Sequence, residues 1–597
     1  MSCRPFMKPG NHVFAKLFSL YLVVILISGL LISACKPKIT ETPVPTDTVV
    51  GYPTIDIPII TTPAQTVSNP TAAATLLPVA QGNSSAANAG LIILSMSDGA
   101  YNHLFAYHPS YLAMTRLTAD AWDDDSPAIS PDGGKIAFTS NRFGTREIYI
   151  LDLVSNSLTQ MTNSSAFEGT IDWSPDGSYI VYDVYQNEHF DLVIQSVNDQ
   201  TEAPIQLTDG TTNNFQPSWS PDGSEIAFVS DRSGRNAIWL ARLQNPEDRF
   251  MEVVSSKDVD YGSPVWSPDG TKLAITRHAS NNEIVLIQPH NPIKELVVIG
   301  SGENPAWMPD GSGVLATIKL PNETEIVAYS VIDRHLMLPP IPMGGSIAEY
   351  DWNSGSLVQN IQTWVAKNTL PQPAPLWVET TVKPSSANNR RSLVELPEVT
   401  APQALLSDAV DNSFIALRSL VNQRIGWDLL ATLDNAVIPP TSSPMPGIPE
   451  NWLYTGRAIG LNLAPYEAGW MVVNREEFAG NIYWRVWVKC KIQDGSCGEP
   501  LQDPVWDFQS RSSGNALAYE NGGEYKPMPT GYWFDFSEMA RRFGWQRLPA
   551  VNNWRSYFQG TQFNVFVFQN DLTWHKAMLE IYPSEQVDLL TGVSNED

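Results

Sequence analysis

Cysteine is scarce in this 597-residue chain: Cys3, Cys35, Cys490 and Cys497 are all there is. With no further cysteine and little histidine close by, a structural zinc site is excluded around the last two. Positive charge is also short. Lys and Arg number 37 against 63 Asp and Glu, a net charge of −26 that would repel nucleic-acid phosphates and suits a surface-exposed soluble body. Beyond residue 400 the only histidine is His575, and no Gly-x-Ser-x-Gly elbow occurs anywhere. Neither Cys490 nor Cys497 has a histidine nearby in sequence, so no activated nucleophile is visible.

What the chain has in abundance is one tetrapeptide. Ser-Pro-Asp-Gly begins at Ser130, Ser174, Ser220 and Ser267, preceded by Ile129, Trp173, Trp219 and Trp266, with a variant at Trp307-Met308-Pro309-Asp310-Gly311. The prolines are 44, 46, 47 and 41 residues apart, the spacing of an array of equal small units. Proline presets φ for a tight turn, aspartate bonds its own backbone and glycine takes the position a Cβ would crowd, so each copy predicts a hairpin corner. Period-two runs follow the corners, at Lys135–Phe138, Glu225–Phe228 and Lys272–Ile275. Second runs stand at Ile148–Leu151, Leu192–Ile194, Ile238–Leu240, Ile284–Leu286 and Ile326–Ala328, and weaker ones at Leu158–Thr162 and Ile205–Thr208. Four short strands per unit make a propeller blade.

With Ser230-Asp231-Arg232-Ser233-Gly234 and the looser Ser140-Asn141-Arg142-Phe143-Gly144 after the second strand, residues 90 to 360 resemble the WD-like repeat of TolB-type β-propellers. The resemblance implies fold and is nearly silent about ligand. Leu91–Leu94 and Leu104–Tyr107 look like second and third strands lacking a first, and Ala348–Gly355 supplies it. Joining them predicts an all-β propeller of six blades, closed by the two chain ends of the array meeting in one sheet.

The loops entering each first strand ring one mouth of the central channel. They carry Asp124 and Asp125, Glu168, Asn214, Asp260 and Glu303, an acid or amide at each of the five motif copies, an electronegative rim for a cationic peptide segment or for Ca2+. Solvated loop acids in an acidic protein are the alternative.

Before the propeller, Arg4, Lys8 and Lys16, an apolar run from Leu17 to Ile32 and Ser33-Ala34-Cys35 read as a signal peptide. The last residues resemble a bacterial lipobox, which implies a diacylated Cys35 and a protein tethered outside the cell; a transmembrane anchor built on the same run is the alternative. Residues 36–89, rich in Pro, Thr, Ser and Ala, predict a disordered tether with a reach of roughly 40 Å.

After the propeller, 361–402 reads as a linker and 403–597 as a smaller α+β domain holding ten of the 19 tryptophans. Helices are expected at Ser413–Arg424, Phe536–Phe543 and Leu572–Ile581, and strands at Gly469–Val473, Tyr483–Val488 and Phe563–Phe568. Cys490 and Cys497 flank an Asp-Gly turn and stand equally well for a disulfide or two free thiols. Leu453-Tyr454-Thr455-Gly456-Arg457-Ala458-Ile459-Gly460 resembles the His-x-x-Gly-Arg-Ala-x-Asp element of the hedgehog and D-alanyl-D-alanine carboxypeptidase zinc fold. Leu453 and Gly460 stand where the ligands would be, so the resemblance implies a lapsed catalyst that retains contact with cell-wall peptide or glycan.

Two readings of function follow. The first is a non-enzymatic envelope lipoprotein whose propeller binds a protein or envelope component. The second is a peptidoglycan-directed hydrolase or wall binder using the C-terminal domain, where the acid pairs Glu476/Glu477 and Asp503/Asp507 could serve a glycosidase, with solvated surface acids as the alternative.

Overall fold

The computed structural model describes residues 90–591, apart from 110–111, 280, 292–294, 354–355, 369, 372–374, 379–389 and 443–444. The expected signal peptide, Cys35 and the tether lie outside the described residues.

Each corner is held by its own serine and aspartate. Ser130 Oγ donates to Asp132 Oδ1 at 2.6 Å, the same carboxylate accepts from Gly134 N at 2.9 Å, and Ser130 Oγ accepts from Lys135 N at 2.9 Å. The Ser174–Asp176, Ser220–Asp222 and Ser267–Asp269 pairs repeat the first bond at 2.6, 2.7 and 2.6 Å. At the variant corner Met308 cannot donate, and Ser312 Oγ bonds Asp310 instead. The corner glycines Gly133, Gly177, Gly223, Gly270 and Gly311 all have φ between 66° and 76°, where a side chain is strained.

Six antiparallel four-stranded sheets result. Blade 1 comprises Asp124–Ile129, Lys135–Phe143, Thr145–Asp152 and Ser157–Gln160, and blades 2 to 5 have first strands Phe167–Trp173, Asn214–Trp219, Asp260–Trp266 and Glu303–Trp307. Blade 6 is the closing sheet: Ile347–Asn353 pairs with Leu91–Asp98, Leu91 opposite Asn353 and Ile93 opposite Asp351. Leu91 and Ile93 pack toward Ile136 and Phe138 of blade 1, while Ile92 and Leu94 pack toward Leu315 and Ile326 of blade 5. A strand covered on both faces reads as an unbroken apolar run, as Leu91–Leu94 does. Each such fully buried side chain contributes about 1.5–3 kcal/mol.

Neighbouring blades are also tied by the motif tryptophans. The Trp173 and Trp307 indoles donate to Ala128 O and Val265 O of the preceding blade, both at 3.0 Å. Asp172 accepts from Trp219 N at 2.6 Å, and Asp351 accepts from Ile129 N at 2.8 Å across the closure.

The helix Ser356–Lys367 occupies the start of the stretch expected as linker. Leu357, Ile361 and Trp364, spaced to share one face, are buried against Leu91 and Leu151. Farther on, Leu393–Glu395 pairs with Leu405–Ser407, ten residues before the expected domain start.

The C-terminal part has a six-stranded antiparallel sheet, in the order Glu499–Pro500, Tyr532–Asp535, Asn481–Lys489, Met471–Phe478, Val505–Asp507 and Glu524–Lys526. A second sheet of four strands packs with it, and the helices include Asp411–Ile425, Phe536–Arg542 and Trp574–Ile581. Asp535 caps the helix at Phe536 by accepting from Glu538 N at 2.9 Å. The Glu538 side chain makes its bonds to Arg541, Arg542 and Ser346. Trp452, Trp484, Trp506, Trp533, Trp545, Trp554 and Trp574 are buried, and Trp470 is the exposed exception at 41 %. Cys490 and Cys497 are joined as a disulfide.

Propeller and C-terminal part share a core. Phe167, Tyr185, Phe190, Phe215 and Tyr261 of blades 2 to 4 belong to the same buried cluster as Tyr532, Phe534 and Trp545.

Candidate functional site at the channel mouth

Each first strand starts at one mouth of the channel and ends at its corner on the opposite face. The six rim residues lie at or beside these starts, as expected, but they form no open acidic ring. Asp124, Asp125, Glu168 and Asn214 are each no more than 3 % exposed, and Asp260 is 7 % exposed. They also fall out of register: counted back from the corner serine, Asp124, Glu168 and Asn214 are equivalent, Asp125 and Glu303 stand one place later, and Asp260 one place earlier.

Most have a partner within their own blade. Arg142 Nη2 meets Asp124 Oδ1 at 2.9 Å, Arg146 meets Asp125 at 2.8 Å and Lys319 meets Glu303 at 2.5 Å. Arg235 of blade 3 pairs with Asp260 across the seam to blade 4. Arg232 donates to Asn214 Oδ1 at 2.7 Å and to Ser230 Oγ at 2.9 Å, and its guanidinium lies 4.4 to 5.4 Å from the Phe250, Trp239 and Phe228 rings. The Ser-x-Arg-x-Gly element therefore exists to hold the residue that opens the first strand. Among the described residues Glu168 pairs with no cation; burial and the neighbouring Glu147 push its carboxyl up to about 8, so it is neutral at pH 7.

These acids do not suit Ca2+, which takes six to eight oxygens. Four of the five carboxylates are engaged by guanidinium or ammonium groups, and among the described residues no group of three or more His, Cys, Asp or Glu is placed to hold a metal.

Sequence reasoning missed a polar belt at the channel. Four residues before each corner serine, or its counterpart Met308 or Asn353, stand Ser126, Thr170, Gln216, Ser263, Asn304 and Glu349. In blades 1 to 5 the pairing of the first strand slips here, and Ser126, Gln216, Ser263 and Asn304 adopt φ of 46° to 53°. A left-handed residue of this kind costs roughly 1 kcal/mol, offset by what the bulges bring together. Asp183 joins Thr170 to Gln216 N, Gln216 Oε1 accepts from Ser263 N at 2.7 Å, Ser263 Oγ meets Asn304 Oδ1 at 3.0 Å, and Asn304 reaches Ala348 O. Ser126 bonds Glu349 across the closure. Burial pushes Asp183 up to about 6 and Asp172 and Glu349 up to about 7. The signal was present in the sequence as a recurring polar residue at one offset.

The mouth is covered by the chain itself. Gln502 Oε1 accepts from Gln216 Nε2 at 3.2 Å and Gln502 O accepts from Asn236 Nδ2 at 3.1 Å. Tyr185 Oη accepts from Gly531 N at 2.9 Å, and its ring meets Tyr532 edge-on at 5.5 Å. Arg424 pairs with Asp123, Arg541 and Arg542 donate to Ser97 and Asn102, and Arg547 donates to Pro321 O. Arg146 gathers the charges below: burial opposes its protonation, but Asp125, Glu499 of the C-terminal part, Asp123 and Glu349 outweigh it. Blades 1 to 3, 5 and 6 all contribute a bond to this cap. A cleft of about 350 Å3 opens at the seam beside Tyr101 and Trp122, but its arginines, Arg142 and Arg424, are committed to Asp124 and Asp123.

In the C-terminal part the residues matching the zinc pattern are structural. Leu453 is buried beside Met578, and Gly460 lies in a strand between Asn435 and Val565. Glu476 is held down to about 2: burial would raise it, but Arg485 and Arg547, each 2.7 Å away, prevail. Glu477 pairs with Arg475 at 3.1 Å, and Asp507 caps the turn at Gln509.

The fold and site thus define a closed six-bladed propeller whose strand-entry mouth is sealed by a second, α+β part of the same chain. Matches to the TolB beta propeller domain family cover residues 84–205 and 194–352. This portion of the chain is a TolB-type β-propeller. Over 118 residues the chain is 35 % identical to an uncharacterized protein of Agrobacterium fabrum, covering 19 % of this chain and 39 % of that one. It is 32 % identical over 117 residues to a TolB homolog of Chlorobaculum tepidum, covering 20 % of this chain and 26 % of that one. The chain therefore spans about a quarter to two-fifths of the length of these relatives. The crystal structure of TolB from Acinetobacter baumannii superimposes with a TM-score of 0.40 at 20 % identity, over 44 % of this chain and 66 % of that one.

Proposed function

We propose that this chain is an exported cell-envelope lipoprotein, anchored through Cys35, that acts as a non-enzymatic binding and scaffold module for an envelope protein. The observation carrying the reading is the cap. With the strand-entry mouth occupied by residues 424–547, the propeller has its opposite face, where the Ser-Pro-Asp-Gly corners stand, to offer a partner. That face carries the exposed corner acids Asp132, Asp222, Asp269 and Asp310, and the loops after the third strands of blades 1 and 5 expose Val154 at 67 % and Ile332 at 83 %. Isolated apolar side chains among acids suit a polar, reversible protein contact. A photo-crosslinking residue at position 332 or 154 should capture one envelope protein in intact cells, while the same residue at Phe143, near the capped mouth, captures none of it. Capture of that protein from position 143 alone would refute the assignment of the face.

A further inference from the structure

On the C-terminal part, away from the propeller's partner question, a cleft of about 280 Å3 is lined by Arg475, Trp506, Glu524, Tyr525, Trp554 and Arg555, together with Asn521 and Gly523. Its walls are planar rings. Tyr525 stands edge-on to Trp506 at 4.9 Å, and Trp506 and Trp554 are tilted 66° to each other at 6.3 Å. Unlike the two tryptophans, which are 4 % and 5 % exposed, the Tyr525 ring is 49 % exposed, and Tyr519 and Leu517 of the adjoining helix Ala516–Asn521 are 64 % and 67 % exposed.

Charge at the cleft runs against the chain. In a protein of net charge −26 the cleft is lined by two guanidiniums and one carboxylate, Glu524; Arg475 is paired with Glu477 just outside the lining. Arg555 lies 5.6 Å over the Trp554 ring and, among the described residues, pairs with no carboxylate. Arg475 lies 5.5 Å over Trp506 and gives one N–H to Glu477 at 3.1 Å, so Arg555 is the guanidinium left to meet a ligand carboxylate.

We propose that this cleft binds a carboxylated sugar residue of a cell-surface or wall glycan. A pyranose presents a C–H face that packs on an aromatic ring and a rim of hydroxyls that bond to Asn521, Glu524 and the guanidiniums; its carboxylate takes the arginine fork. The volume is at the low end of small-molecule clefts, fit for one sugar unit rather than a long chain segment. A peptide strand added to the neighbouring sheet edge fits less well. That edge, Glu524–Lys526, is three residues long and is followed by Pro527 and Pro529, which lack the N–H groups such pairing needs.

Calorimetry on the full-length chain tests this with four probes: a uronic-acid tetrasaccharide, a neutral glucose tetrasaccharide of the same length, a disaccharide containing muramic acid with its free carboxylate, and a tripeptide with an aromatic residue and a free C-terminal carboxylate. Binding of the uronic or the muramic probe at least about tenfold tighter than the neutral sugar is expected, and which of the two wins names the source. Arg555→Ala should weaken that binding about tenfold without lowering the melting temperature; Tyr525→Ala, which also gives up the edge contact with Trp506, should weaken it about tenfold, and Tyr525→Phe should retain it. Equal binding of the neutral sugar, preference for the tripeptide, no binding of any probe at millimolar concentration, or affinity unchanged in both variants would each overturn the proposal.

Discussion

Arg424, in the last turn of the helix Asp411–Ile425, places Nη1 2.9 Å from Asp123 Oδ2 at the entry to blade 1, while its guanidinium lies 4.4 Å over the Tyr101 ring of blade 6. One side chain thus ties the C-terminal part to both blades at the closure. Burial alone would raise the Asp123 carboxyl, but Arg424, Arg542 and the Asn102 N–H outweigh it and hold it at about 2.

Removing this tie should loosen the cap. Both side chains are under 20 % exposed, so Arg424→Ala is expected to cost about 1–3 kcal/mol, since it leaves a sheltered carboxylate less compensated. Because the folded value of Asp123 lies below its ordinary 3.8, its contribution is complete above about pH 4 and fades as pH falls toward 2. Thermal melts at pH 7 and pH 2 would show it: the gap between wild type and Arg424→Ala should close in acid.

Glu168 carries the opposite sign. Its folded value of about 8 lies above the ordinary 4.5, so between these the unfolded chain has released a proton that the folded chain keeps, and stability falls as pH rises through that window. Glu168→Gln, which keeps the bond from Ser164 Oγ, should raise stability by about 2–4 kcal/mol at pH 8.5 and by little at pH 4.5. Parallel denaturant titrations at the two pH values would measure the difference.

Arg232 should not be replaceable by lysine. Its fork bonds Asn214 and Ser230 while its plane rests among Phe228, Trp239 and Phe250, and an ammonium reproduces neither arrangement. Arg232→Lys and Arg232→Ala are both expected to lose about 2–3 kcal/mol, read as a shift in the urea midpoint.

Reducing Cys490–Cys497 frees a loop of sequence separation 7 and should cost about 2–3 kcal/mol of loop entropy. In a chain this large the melting temperature should drop by about 2–4 °C with reductant, a change absent from Cys490→Ser/Cys497→Ser.

The blades were legible because their corners are local chemistry: Ser, Pro, Asp and Gly fix one turn wherever they occur, and alternation beside them marks the strands. The closing sheet was legible for a related reason, since Leu91–Leu94 is too uniformly apolar for a strand exposed on either side. The rim was misread because its neutralising partners are hidden by distance. Arg146 carries no pattern that says it turns back onto Asp125, nor Arg235 one that says it reaches forward to Asp260 in the next blade, and Gln502 lies 286 residues from Gln216. Burial of the mouth depends on a docking between two parts of the chain that share no period, and nothing in either part alone encodes it. The belt from Ser126 to Glu349 could have been found, by reading the repeat for constant polarity instead of constant identity.

The sealing of the mouth is tested most directly by thiol labelling of Asn236→Cys, a position 6 % exposed beneath Gln502, against Ile332→Cys on the corner face, 83 % exposed. With the cap in place, maleimide should modify position 236 in the native protein about a hundredfold or more slowly than position 332, and equally fast once urea unfolds the chain. Equal rates in the native protein would mean that the channel mouth is open and the capped propeller described above is wrong.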